Sequence, residues 1–83
     1  MSDTDLEQAV RKVLAEQGRL AEVAASADVG ANLFDLGLDS QAVIRVMLGI
    51  EDELDITFAD DALTRDTFSS IAAILAAIAK SRA

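Results

Sequence analysis

The sequence has no cysteine, no histidine and no proline in 83 residues. Without cysteine there is no disulfide framework, no zinc-finger spacing and no intrinsic thiol. Without histidine the usual proton shuttle and the commonest metal ligand are missing. An enzyme built from the remaining side chains would have few options. Aromatics are scarce, with three Phe and neither Trp nor Tyr. Together with the absence of proline, this favours a compact all-helical domain. The longest apolar stretch, Ile71 to Ala79, is far too short to span a bilayer, so no membrane partner is expected. Residues 1–20 are acidic and amphipathic and lack the basic n-region of a signal peptide, so a cytoplasmic location is expected.

What is present is acid. The net charge is −8 and it is unevenly placed. Residues 20–64 hold ten acids and one base, Arg45, so that stretch carries −9, whereas the remainder holds five acids and six bases and carries +1. Nucleic acid is disfavoured as a partner, because binding it requires clustered Lys and Arg. The acidic half would attract basic protein surfaces and raise encounter rates more than affinity. Charge alone fits an acidic interaction module that is never modified. The length suits one domain, residues 1–83, with a modest core.

Helical periodicity runs through most of the chain. Thr4-Asp5-Leu6-Glu7 fits a capping box, and Leu6, Val10, Val13 and Leu14 follow at helical spacing up to a stop at Gly18. Residues 19–39 are too apolar for a free loop. Leu20, Val23, Ala24 and Ala27 allow a further turn or two of helix, and the segment is expected to pack across the helix ends. A second helix is predicted from Ser40 to Leu54, with a stripe of Val43, Met47, Ile50 and Leu54 widened by Ile44, Val46 and Leu48. Gly49 in its interior costs roughly 1 kcal/mol relative to Ala and could admit a close neighbour. Asp60-Asp61-Ala62-Leu63 predicts a short third helix. Asp66 or Thr67 caps a fourth, carrying Phe68, Ile71, Ile74, Leu75 and Ile78 and ending near Lys80 and Arg82, where cations suit the helix dipole. Four helices with one apolar face each imply a small four-helix bundle.

The chemistry concentrates at Asp35-Leu36-Gly37-Leu38-Asp39-Ser40, immediately before the second helix. The first turn of a helix offers unpaired N–H groups and the positive end of the macrodipole, which suit a phosphodiester hung on the Ser40 hydroxyl. Gly37 allows an unusual backbone angle and close approach by a modifying enzyme. Asp39 can cap the helix and places an acid beside the serine. The same residues also read as an ordinary helix start after an ordinary loop. Other chemistries fail on spacing. A calcium loop starting at Asp35 would need Gly where Ser40 stands and Glu where Val46 stands. A hydrolase elbow needs Gly-x-Ser-x-Gly and a histidine. A serine without a neighbouring base is a weak nucleophile, so Ser40 is more credible as a substrate of another enzyme than as a catalyst.

Taken with Leu33-Phe34 before it, the apolar second helix, the turn Glu51-Asp52-Glu53-Leu54-Asp55-Ile56 and Asp66-Thr67-Phe68, the hexapeptide resembles the acyl carrier protein and peptidyl carrier protein superfamily. The resemblance covers nearly the whole chain. It implies the acyl-carrier type of four-helix bundle with a short third helix. It also implies that Ser40 receives 4′-phosphopantetheine from coenzyme A through a separate magnesium-dependent phosphopantetheinyl transferase, with Gly37, Leu38 and Asp39 as the flanking cofactor-binding loop. The arm's thiol would then hold cargo as a thioester, so a protein without cysteine could do thiol chemistry. Gln41, Ala42 and Arg45 depart from the carriers of fatty-acid synthesis, which place an apolar residue and then acids on this helix. The run Val46 to Phe58, with Arg65-Asp66-Thr67-Phe68-Ser69-Ser70-Ile71, looks similar to stand-alone aminoacyl carrier proteins. That group is charged with glycine or alanine by amino acid:carrier protein ligases resembling seryl-tRNA synthetase. The resemblance thus implies a non-catalytic, monomeric carrier whose partners are the transferase and such a ligase. Gln41, Ala42, Arg45 and Leu48 are the expected docking residues, being on the helix that begins at Ser40. Fatty-acyl, polyketide or nonribosomal peptide cargo is the alternative within the superfamily.

Overall fold

The apolar spacing of the first helix becomes a buried stripe. In the computed structural model, which describes residues 3–18, 20, 24 and 26–82 apart from the side chains of Asp3, Asp60 and Arg82, α1 spans Asp3–Gln17. Val10, Val13 and Leu14 are buried and Leu6 packs against the same core. The helix already includes Asp3 and Thr4. Thr4 therefore has a helical neighbour on its N-terminal side and is not the non-helical residue a capping box requires. Gly18 does end α1, but not through a left-handed angle: its N–H donates to the Leu14 carbonyl at 3.0 Å. A Cβ there would stand 2.7 Å from that carbonyl oxygen and 3.3 Å from Val46 Cγ2. Crowding therefore favours glycine at this stop.

A side chain of α1 ties down the segment that follows it. The Arg11 guanidinium donates to the carbonyls of Ala24 and Ala27, each at 2.8 Å, and to Glu7 Oε2 at 3.0 Å. Of the possible further turn of helix, the Ala24 N–H donates to the Leu20 carbonyl at 2.7 Å, the four-residue spacing of one helical turn; Val23 lies outside the described residues. Leu20, Ala24, Leu33 and Leu38 enter the core. The Leu33 N–H donates to the Ser69 carbonyl at 2.7 Å and the Ala72 N–H to the Val29 carbonyl at 2.8 Å, stitching this segment across the start of the last helix.

The second helix, α2, spans Ser40–Leu54, the expected limits. It buries Ala42, Val43, Val46 and Ile50. It ends at Asp55, whose φ of 53° is left-handed, a conformation that Asp tolerates better than most side chains. Glu51 secures this end: its carbonyl accepts the Ile56 N–H at 3.1 Å, and its carboxylate accepts the Phe58 N–H at 2.9 Å.

The third expected helix is a single 3-10 turn, Asp60–Ala62. The last helix, α3, spans Ile71–Arg82 and starts later than expected. Its cap is Ser70, whose hydroxyl accepts the Ala73 N–H at 3.1 Å. Asp66 and Thr67 instead serve local turns: the Ser69 hydroxyl donates to the Asp66 carbonyl and the Thr67 N–H donates to Thr64 Oγ1. Such short side-chain bonds compete with helix formation. Phe68 stays in the turn yet is fully buried, edge-on to Phe58 with ring centroids 6.0 Å apart.

The architecture is therefore all-helical, with three α-helices and one 3-10 turn among the described residues. α1 packs against both α2 and α3, and the core lies between them around Val10, Leu14, Val46, Ile50, Ile74 and Ile78. No helix is long and apolar enough to cross a membrane among the described residues.

Candidate functional site

The loop leading into α2 is built on two buried leucines. Leu33 and Leu38 are sunk in the core, and the Leu38 N–H donates to the Leu33 carbonyl at 3.0 Å. Between them Asn32 Oδ1 accepts the N–H groups of Phe34 and Asp35 at 2.9 and 3.3 Å, turning the chain back on itself. Closing this turn requires a φ of +121° at Gly37, a region that disfavours any side chain. A Cβ at Gly37 would meet only Leu20 Cδ2 at 3.5 Å, so the angle, and not lack of space, demands glycine.

Asp39 follows in extended conformation. Its carboxylate accepts the Ala42 N–H at 2.8 Å and its carbonyl the Val43 N–H at 3.0 Å. The carboxylate is thus committed to capping α2. Ser40, the first helical residue, is exposed. Its neighbourhood combines the positive end of a helix dipole with a reachable primary hydroxyl.

An open groove of about 270 Å³ lies beside that hydroxyl, lined by Ser40, Val43, Ile44 and Phe34 with Leu63, Thr64 and Arg65 opposite. The Arg65 guanidinium carbon sits 3.9 Å from the Phe34 ring centroid. Ile44 and Leu48 are 47% and 54% exposed, and Leu63 is 45% exposed. At about 100° per residue, Ser40, Ile44 and Leu48 share one face of α2, flanked by Gln41 and Arg45.

Ser40, Asp39 and Gly37 are thus brought together as the sequence implies. Leu38 is not part of the accessible site: at 3% exposure it is a wedge that anchors the loop from below. Ala42 requires a correction too. It lies about 200° around the helix from Ser40, with 2% exposure, and packs in the core; it has no side chain to offer a partner. Gln41, Arg45 and Leu48 are exposed on the outer face. Ile44 and Leu48, expected to widen the core stripe, are instead about half exposed. Ile44 could have been found from its place one helical turn after Ser40. The Phe34–Arg65 stack could not, because it joins two loops far apart in sequence.

Chemically, the site suits a serine that is acted upon. No histidine exists in the chain to activate it. An exposed hydroxyl, a helix start and an open groove beside it fit attachment of a long phosphodiester-linked group.

The chain matches the family described as phosphopantetheine attachment site over residues 6–78. It belongs to that family. The family implies a 4′-phosphopantetheine prosthetic group, and its carrier domains are non-catalytic. This carrier is 42% identical over 65 residues to the aminoacyl carrier protein of Agrobacterium fabrum, covering 78% of each chain. It is 35% identical over 71 residues to aminoacyl carrier protein 1 of Bradyrhizobium diazoefficiens, covering 83% of this carrier and 77% of that protein. Among solved structures it resembles a chain in the crystal structure of an engineered Bradyrhizobium japonicum glycine:[carrier protein] ligase complexed with carrier protein from Agrobacterium tumefaciens and ATP. The TM-score is 0.84 at 36% identity, covering 90% of this carrier and 97% of that chain. The corresponding complex with AMP gives a TM-score of 0.81 at 37% identity, covering 88% and 97%. The carrier therefore resembles aminoacyl carrier proteins in sequence and in fold.

Proposed function

We propose that this carrier presents a small amino acid, glycine or alanine, as a thioester on a 4′-phosphopantetheine arm attached to Ser40. The observation that carries the reading is the exposed Ser40 hydroxyl at the capped start of α2, inside the attachment-family match. A transferase joins the Ser40 oxygen to the phosphopantetheinyl phosphorus of coenzyme A, with the nucleotide portion leaving. When bound, the arm supplies the thiol the sequence lacks. A separate amino acid:carrier protein ligase loads it, a reading supported by the likeness to a carrier crystallised with such a ligase. The carrier itself does no catalysis and acts as a cytoplasmic monomer. Its 3-10 turn Asp60–Ala62 stands in the place of the short third helix of a four-helix carrier plan.

Asp39 orders the attachment loop through its cap, and Gly37 gives that loop its turn. Docking of the ligase falls to the outer face of α2, through Gln41, Arg45 and Leu48, with Ile44 beside them. An aminoacyl group carries an ammonium, which is costly to bury unpaired, so the cargo stays in solvent or in the ligase and not among the helices.

The test is direct. Incubation with coenzyme A, magnesium and a broad-specificity phosphopantetheinyl transferase should add one phosphopantetheinyl mass at Ser40. Ser40→Ala should fold, since the side chain is exposed and such changes are usually within about 0.5 kcal/mol, yet gain nothing. Loading the product with glycine and alanine in parallel with acyl chains then identifies the cargo. Mass gain in Ser40→Ala would remove the site; preferential acyl loading would remove the aminoacyl reading.

A further inference from the structure

Most charge near Ser40 has the wrong sign for a phosphodiester. Asp35 and Asp39 precede it, and residues 20–64 as a whole carry ten acids against Arg45. Arg45 lies about 140° around α2 from Ser40. The cation that shares a groove with Ser40 is Arg65.

Arg65 is placed in an unusual way. Its guanidinium lies over the Phe34 ring at 3.9 Å, an attraction of the cation to the negative face of the ring. Arg65 also lines the groove beside Ser40, and a guanidinium carries a planar fork of N–H donors that matches phosphate oxygens. Among the described residues no carboxylate forms an ion pair with it. Phe34 in turn is held by its N–H bond to Asn32 Oδ1 at 2.9 Å, so the platform belongs to the attachment loop itself.

The rest of the groove is apolar where the arm is apolar. Val43 and Ile44 line one wall and Leu63 the other. One methylene beyond its phosphate a phosphopantetheine arm carries a carbon bearing two methyl groups, and beyond that a hydroxyl, two amides and the thiol. Phosphate beside Arg65 and methyls against Ile44 and Leu63 would match the groove in charge and in polarity.

We propose that the groove is the resting cradle of the arm. Arg65, held over the Phe34 ring, binds the phosphodiester on Ser40, and Val43, Ile44 and Leu63 hold the dimethyl segment, leaving the thiol end free. This rests on the attachment of phosphopantetheine to Ser40. Arg65 and Phe34 are positioning residues: they restrict where the arm points between encounters, and a partner must lift the arm off.

The experiment uses the full chain in its phosphopantetheinylated form, wild type beside Arg65→Gln and Arg65→Lys. Mass spectrometry first establishes addition at Ser40 in each. Carbon-edited NOE spectra and the phosphorus-31 shift are then recorded at low and high salt. The wild type should show cross-peaks from the arm methyls to Ile44 and Leu63, with a phosphorus shift that moves on adding salt. Arg65→Gln should lose the cross-peaks and the salt response. Arg65→Lys, which keeps charge without the fork, should weaken the cross-peaks. An arm without cross-peaks in the wild type, or cross-peaks unchanged in Arg65→Gln, overturns the cradle while leaving the attachment intact. Failure of the wild type to gain mass sinks the attachment reading, and the cradle with it, before any spectrum is taken.

Discussion

A Cβ built on Gly49 would stand 2.8 Å from Val13 Cγ1 and 3.3 Å from Gln17 Cγ, so the absence of a side chain on α2 sets how closely α1 can lie. In an exposed helix Gly→Ala gains about 1 kcal/mol. Here the added methyl meets a stiff, buried β-branched side chain, and overpacking typically costs about 1–3 kcal/mol. Gly49→Ala should therefore destabilise the protein slightly in urea unfolding. In a Val13→Ala background the same change should become stabilising. A Gly49→Ala effect of equal sign in both backgrounds would show that the helices do not meet there.

The attachment loop makes a second pair of expectations. Gly37→Ala places a side chain at φ +121° and should cost on the order of 1–3 kcal/mol, although there is room for the methyl. Asp39→Ala removes the carboxylate that accepts the Ala42 N–H and should cost about 1 kcal/mol. Asp39→Asn, which keeps an oxygen in place, should recover most of the stability. Comparing its rate of phosphopantetheinylation with the wild type then isolates what the charge contributes to the transferase.

The docking proposed for the outer face of α2 can be tested apart from folding. Arg45 and Leu48 are exposed, so Arg45→Glu and Leu48→Glu should leave stability within about 0.5 kcal/mol. Each should lower kcat/KM for loading by a glycine:carrier protein ligase roughly tenfold, equivalent to about 1.4 kcal/mol. Phosphopantetheine transfer should be largely unaffected. Wild-type loading rates across a range of salt concentrations would exclude this face from docking.

One ion pair predicts a pH response. Lys12 Nζ donates to Glu53 Oε1 at 2.8 Å across α1 and α2. The hydrogen bond and the charge of Glu53 raise the Lys12 pKa above its ordinary 10.5. A group whose pKa rises on folding contributes fully below its unfolded value and loses that contribution as pH climbs through the folded one. The stability difference between wild type and Lys12→Gln should therefore be flat from neutral pH to about 10 and vanish above the raised pKa. Both groups are substantially exposed, so the difference should be small and shrink further in salt.

Much of this was legible in the residues. The limits of α2 and the Asp39 cap follow from local rules: a capping acid before a helix-periodic run, with nothing in the tertiary structure competing. Gly37 was legible for a similar reason, since a turn between two buried leucines constrains the backbone. The start of α3 was not. Asp66-Thr67 looked like a cap, but the hydroxyls of Thr64, Thr67 and Ser69 bond within the turn and delay the helix to Ser70. Ala42 and Ile44 exchanged roles for a geometric reason. Hydrophobicity marks an apolar residue as core, whereas the direction of the neighbouring α1 decides which side of α2 is covered. The Phe34–Arg65 contact depends on two loops meeting, which no local pattern encodes.

Arg11 has a consequence for how the molecule opens. Its guanidinium on α1 supplies the donors for the carbonyls of Ala24 and Ala27. The traverse toward the attachment loop is thereby tied to the middle of the first helix. The two should open together as one cooperative unit in hydrogen exchange, and the mount beneath Ser40 would loosen only when the middle of α1 does.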